Sequence, residues 1–282
     1  QNIMKSNEMP CIYIDSFNLI NNENSSYSTL AHEFNHLLLF ANKSLKLNTT
    51  PSTWYTEMLA MECEDILQNV IFGNTDNYSL GERINYFLPN INYGFYIWQQ
   101  GDNVLKSYAS SFIFGNYLTK NYGLENLLKE IFSNDYTDEL SITKALQKVT
   151  NSNITFNTVL KDEYQILLNP LKKDKNNFSL YLTPEDGNYS FNVANKECII
   201  YSHDLRKVMY NDYQLLNLIT SVSATNVDYF EDLYPYGLAV NLIGENDIKT
   251  FTICNYIPNS STYSYKVINV SPEGILTEID IN

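Results

Sequence analysis

A chain of 282 residues with 44% apolar side chains can build one large globular domain or two ordinary ones. Its formal net charge of −14 and pI near 4.6 disfavour nucleic acid and anionic membrane surfaces as partners. No stretch has the apolar length of a transmembrane helix, no signal peptide is present, and the opening Gln1-Asn2-Ile3 reads as a processed or truncated end.

In chain order, the alternation around Ile12 and Ile14 predicts a strand within residues 10–20, and an Asn- and Ser-rich loop follows over 21–26. Glu8 and Asp15 lie here with nothing tying them to chemistry. Residues 28–40 then predict a helix, capped by one of Ser25, Ser26 or Ser28. Its apolar residues Leu30, Ala31, Phe34, Leu37, Leu38 and Phe40 predict burial. The helix carries His32-Glu33-x-x-His36, and two of the three histidines of the chain fall in this motif. Side chains four apart share a helix face, so His32 and His36 can offer two imidazoles to one ion. Glu33 is rotated about 100° from His32, which suits a base acting on a water rather than a ligand.

A catalytic zinc takes three protein ligands and keeps one position open. The next helical stretch, residues 54–67 after Pro51 and a Ser52 or Thr53 cap, offers Glu57 as the third. Ala60 allows close helix approach, and Glu64 returns seven residues later to the face of Glu57. A carboxylate at Glu64 can accept the second N–H of a ligand histidine; the other reading is a solvated acidic face, which also accounts for Glu62 and Asp65. Cys11, Cys63, Cys198 and Cys254 lack CxxC spacing, which argues against a cysteine zinc site; a Cys198–Cys254 disulfide and four free thiols both fit.

Residues 73–101, punctuated by Gly73, Gly81, Pro89, Gly94 and Gly101, read as irregular structure that either shapes a substrate pocket or simply packs. Helices are predicted over 102–122, 124–133, 138–149 and 155–168, closing the helical side of a first domain. Lysine-rich residues 170–178 predict a linker. Seven short segments follow, over 188–193, 197–202, 214–220, 225–230, 237–243, 248–256 and 262–270, and predict a β-sandwich; His203 falls in a loop.

The two spaced motifs, HExxH and then E-x-x-A-x-x-x-E over Glu57–Glu64, resemble the gluzincin metallopeptidases. Thr56 stands where many gluzincins carry Asn, a mild departure. Within that clan the chain is similar to the hyicolysin family of bacterial secreted metallopeptidases. That likeness is carried by A-H-E-F-x-H-L over Ala31–Leu37, by W-x-x-E-x-L-A over Trp54–Ala60, and by Tyr108-Ala109-Ser110-Ser111-Phe112 with Tyr117-Leu118 and Tyr122-Gly123. It spans roughly residues 10–130. The resemblance implies a zincin-type catalytic domain whose edge strand pairs with an extended substrate, secretion or a bacterial cell-surface location, and a transition-state tyrosine for which Tyr108 is the matching position.

The expectation is an α+β chain. A mostly helical catalytic domain with a small edge sheet fills residues 1–172, and a β-sandwich fills 178–282. One Zn²⁺ is held by His32, His36 and Glu57, Glu33 is the general base, Tyr108 an oxyanion donor, and Glu64 a support behind a ligand histidine. The partner is a peptide or protein substrate, not nucleic acid, and the chain acts as a monomer. Endopeptidase action fits better than aminopeptidase action, since no motif for gripping a free α-amine is evident. The rival is a cell-surface or host-binding protein built on a zinc-binding but weakly active or incomplete peptidase scaffold; the intact Glu33 argues against it.

Overall fold

The computed structural model describes residues 11–73, 83, 86–87, 90–168, 189–193, 196–200, 209–210, 213–214, 234–237, 265–270 and 276–281. Asp15 decides where the described chain first turns helical. Its backbone is extended, and its carboxylate accepts the Phe17 N–H at 2.8 Å, capping α1 (Ser16–Asn21). The strand expected in 10–20 is therefore not formed among the described residues: 11–15 join no described strand and 16–21 are helical. Two alternating isoleucines are too short a signal to outweigh an Asx cap.

The helix α2 (Glu23–Leu39) starts inside the expected loop and runs into a π-helical turn, Phe40–Leu45. Its buried face is its polar one. Ser28, Ala31, Asn35 and Leu39 are buried, whereas Phe34, Leu38 and Phe40 are 48%, 37% and 52% exposed. This corrects the expected burial of that apolar set: the seam is the 28–32–35–39 stripe, set at helical spacing and facing α3 (Thr53–Phe72). In the π turn Lys43 is fully buried and donates to Asn134 O at 2.6 Å, Asn134 Oδ1 at 3.0 Å and Tyr136 O at 2.9 Å. Its cation sits at the C-terminal end of α5 (Leu124–Ser133), where helix carbonyls are unpaired. Burial pushes the ammonium down to about 8.

Two helices form the interior: α3 and α4 (Val104–Tyr122), which follows a short 3₁₀ turn at Gly101–Asn103. Trp54, Tyr55, Met58 and Leu59 from α3 meet Phe114, Tyr117 and Leu118 from α4. Leu127 and Ile131 of α5, Ile142, Ala145 and Leu146 of α6 (Asp138–Thr150), and Phe156, Val159 and Leu160 of α7 (Phe156–Leu168) complete that core. Asp138 Oδ1 accepts the Ser52 N–H at 2.8 Å and so ties the start of α3 to α6.

The expected β-sandwich is not what the described residues form. They give three separate two-stranded antiparallel hairpins: β1 (Tyr189–Val193) with β2 (Lys196–Ile200), β3 (Met209–Tyr210) with β4 (Tyr213–Gln214), and β5 (Tyr265–Val270) with β6 (Leu276–Ile281). Residue alternation identifies local strands and a hairpin partner, but it does not specify the long-range pairings that would build two facing sheets. The α+β assignment with an edge sheet is corrected to a helical assembly with three mutually unpaired hairpins among the described residues, of whose strands β2 packs against α3. The linker at 170–178, His203, Cys254 and most of the remaining predicted strands lie outside the described residues. Cys11 and Cys63 are free thiols.

One turn from the C-terminal part, residues 234–237, packs on the helical core. Tyr234 N–H donates to Asn92 O at 3.0 Å, and the Tyr93 and Tyr234 rings stack 5.0 Å apart. Tyr236 lies against Phe95, Tyr96 and Phe156, and its hydroxyl donates to Glu139 Oε1 at 3.2 Å. Gly94, at φ +60°, permits this approach: an added Cβ would lie 2.5 Å from Gly237 N and closer still to Pro235 O. Gly94→Ala is expected to cost about 2–3 kcal/mol in urea unfolding. A change within about 0.5 kcal/mol, the usual range for surface substitutions, would show that the turn does not dock there.

Candidate metal centre

The contacts across the α2–α3 seam run Ser28 to Glu64, His32 to Glu64 and Glu57, and His36 to Glu57, so the two helices are antiparallel. Buried Asn35 fixes the register by donating to Leu59 O at 2.6 Å. Helical spacing then dictates the rest. His32 and His36 are one turn apart with ring centroids 4.8 Å apart, and Glu57 faces both.

Glu57 Oε2 lies 3.1 Å from His32 Nε2, and Oε1 lies 3.5 Å from His36 Nε2. One ligand atom from each of the three residues falls within 4.8 Å of the others. Tetrahedral zinc with bonds of about 2.0–2.1 Å spaces neighbouring donors about 3.3–3.4 Å apart. The two separations run to different oxygens of Glu57, and the three donors lie within 4.8 Å of one another, so the group could hold a small cation once the side chains draw in around it. The structure thus brings together the three residues singled out as ligands.

Glu64 stands behind His32. Its Oε1 is 2.7 Å from His32 Nδ1, while its Oε2 accepts the Ser28 hydroxyl at 2.8 Å. A carboxylate there holds the proton on Nδ1 and leaves Nε2 as the ligand atom. Burial opposes a charge on His32, but its hydrogen bonds to Glu57 and Glu64 outweigh it and raise the imidazole to about 9. His36 moves the other way, because burial holds it below its ordinary value.

Glu33 is exposed, and its charge acts on both His36 and Tyr108. It lines a groove of about 320 Å³ whose walls include Ile12, Ile14, Asn18, Asn22 and Thr29. Tyr108, on α4, is half-buried. Burial raises its phenol, with further contributions from the Glu57 charge and from a hydrogen bond to Glu57. Its ring is held edge-on by Trp98 at 4.8 Å, and the Arg83 guanidinium lies 4.8 Å from its centroid. Ser28, Trp98 and Arg83 escaped the sequence reading. Ser28 carried a usable signal, being one helical turn before His32, whereas Trp98 and Arg83 reach the site only through tertiary packing from the irregular segment.

Glu62 and Asp65 do not form a solvated face; they are 1% and 2% exposed. Thr119 Oγ1 donates to Glu62 Oε2 at 2.7 Å, Asn116 Nδ2 donates to Asp65 Oδ2 at 2.8 Å, and Lys120 lies 3.7 Å from Asp65 while also donating to Asn116. Burial, followed by the Asp65 charge, pushes Glu62 up to about 8. Gly115 lets α4 come this close, since an added Cβ would meet Met58 Cγ at 2.7 Å and Glu62 Oε1 at 2.9 Å. The cluster clamps α3 from the side away from the metal ligands.

Comparison with family models, with curated proteins and with solved structures returns no match for this chain.

Lys120→Met leaves the cluster with two carboxylates and no cation from α4. Breaking a buried pair by removing one partner costs about 3–5 kcal/mol, and chemical denaturation should read a loss of that size. A loss below about 1 kcal/mol, the scale of exposed pairs, would show that Lys120 does not balance the cluster.

Proposed function

We propose that this chain is a zinc-dependent peptide hydrolase acting as an endopeptidase. The observation that carries the reading is the convergence of His32 Nε2, His36 Nε2 and a Glu57 carboxylate oxygen, with an unligated glutamate on the adjoining turn. A purely structural histidine pair has no need of Glu33. No helix among the described residues is long and apolar enough to cross a membrane.

His32, His36 and Glu57 would hold the ion. When bound, zinc supplies Lewis acidity to a water and to the substrate carbonyl. The chain's own residues do the rest. Glu33, exposed on the wall of the groove, takes a proton from the attacking water and returns it to the leaving amine. Glu64 and Ser28 hold the His32 ring in one tautomer. Tyr108, kept protonated, supplies an O–H to the oxygen that gains charge.

Zinc measured by elemental analysis is expected at one ion per chain and lost in His36→Ala. Glu33→Gln should keep the ion while peptide-library cleavage falls by about a thousandfold or more, the upper part of the range for a removed general base and positioned water. Cleavage by Glu33→Gln at the wild-type rate would sink the mechanism.

A proton linkage follows from His32. Raised to about 9, it is cationic at neutral pH, so zinc must displace its proton. Burial holds His36 below its ordinary value, so it contributes less than His32. Zinc affinity should therefore rise about tenfold per pH unit from pH 6 to 8. A competition titration with a chelator of known proton linkage checks the slope, and a flat profile would contradict the arrangement of His32 between Glu57 and Glu64.

A further inference from the structure

Apart from any bound ion, the site is acidic. Glu33, Glu57 and Glu64 surround the two histidines, and the chain as a whole carries −14. Against that background Arg83 is out of character. Its guanidinium lies over the Tyr108 ring at 4.8 Å from the centroid, and the Tyr108 phenol lies close enough to feel the Glu57 charge. Arg83 is half-buried, and among the described residues it makes no ion pair. A guanidinium stacked on an aromatic ring keeps its in-plane N–H donors available, and those donors match a carboxylate in a two-bond fork. Trp98 holds the same ring edge-on, so the surface under the cation is fixed rather than free to swing.

We propose that Arg83 is a specificity residue that binds a carboxylate of the substrate on the Tyr108 side of the metal centre. The stacking on Tyr108 fixes where the cation sits. Among the described residues no carboxylate pairs with it, which leaves its charge for a ligand. Lysine would not substitute well, because it lacks the planar fork. The chemistry admits two sources of the carboxylate, an acidic side chain within the peptide or the C-terminal group. This inference takes its term substrate from the hydrolase reading above, but it is tested by binding and needs no turnover.

The probes are three capped tripeptides: acetyl-Ala-Ala-Ala with a free carboxylate, the same peptide as its amide, and acetyl-Ala-Glu-Ala amide. They are titrated into the full chain carrying Glu33→Gln, with binding read by tryptophan fluorescence and by ligand-observed NMR. At least one carboxylate probe should bind about tenfold or more tightly than the neutral amide, as a charge-assisted fork predicts. Which probe wins identifies the source. Adding Arg83→Gln should bring the three probes within about twofold, a residual well below one charge-assisted bond, whereas Arg83→Lys should keep part of the preference. The preference should survive His36→Ala, which removes the metal. Equal binding of all three probes before Arg83 is altered would overturn the proposal, whether or not the Arg83 variants fold. So would a preference that persists in Arg83→Gln and disappears in His36→Ala, because the metal would then be the carboxylate binder. The hydrolase reading fails separately, by absence of zinc or of cleavage.

Discussion

His32 held between two carboxylates of one helix is the contact on which the rest of the site depends. Glu57 and Glu64 lie seven residues apart on α3, two helical turns, so both face α2, and His32 touches one with each ring nitrogen, at 3.1 Å and 2.7 Å. That two-point contact sets the rotation of α2 about its own axis as well as its register. His36 then falls 3.5 Å from the same Glu57 without further adjustment. The price is an ionic arrangement half-removed from water, and it is tolerable only because each carboxylate has partners: Ser28 for Glu64 and the histidines for Glu57.

The helix that carries those carboxylates cannot be allowed to roll. Rolling is opposed from the other side by Glu62 and Asp65, which reach Thr119, Asn116 and Lys120 of α4 in a setting with almost no solvent. A helix offering acids on two faces would ordinarily be a surface helix. Here both faces are packed, one by histidines and one by α4, and the apolar edges between them supply the Trp54, Tyr55, Met58 and Leu59 core. Gly115 is what allows α4 to come near enough for short polar contacts to replace water. The rigidity required of a metal site thus comes mainly from polar packing, whereas apolar burial sets the overall stability.

What was legible in the sequence was whatever depends on helical spacing alone. The i, i+4 pair of His32 and His36 and the two-turn repeat of Glu57 and Glu64 are set by local geometry, and each helix needed only to be recognised for its face to follow. Glu62 and Asp65 were misread because their partners lie more than fifty residues on, in α4. Phe34, Leu38 and Phe40 were misread for a related reason. An apolar stripe normally marks the buried side, but in α2 the polar stripe is buried because the site lies in it. The C-terminal strands show the limit most plainly. Alternation marks β1 and β2 as strands, and their proximity in sequence makes them a hairpin, yet nothing local says which further strand they join. Arg83 and Trp98 had no periodic context, and only packing against Tyr108 gives them a place.

Tyr108 shows how these layers meet. Its phenol lies within reach of the Glu57 charge, and burial together with that charge keeps the phenol protonated. Within the proposed hydrolase that proton has two competing acceptors, the Glu57 carboxylate and a substrate oxygen that gains charge. The competition is decided by charge. A cation bound at Glu57 withdraws the negative charge that now attracts the phenol, while a developing oxyanion strengthens the alternative. The ring itself need not travel, because Trp98 and Arg83 hold it from two sides. A change of acceptor by a fixed donor costs little reorganisation, which is the condition under which a hydrogen bond contributes most to a transition state.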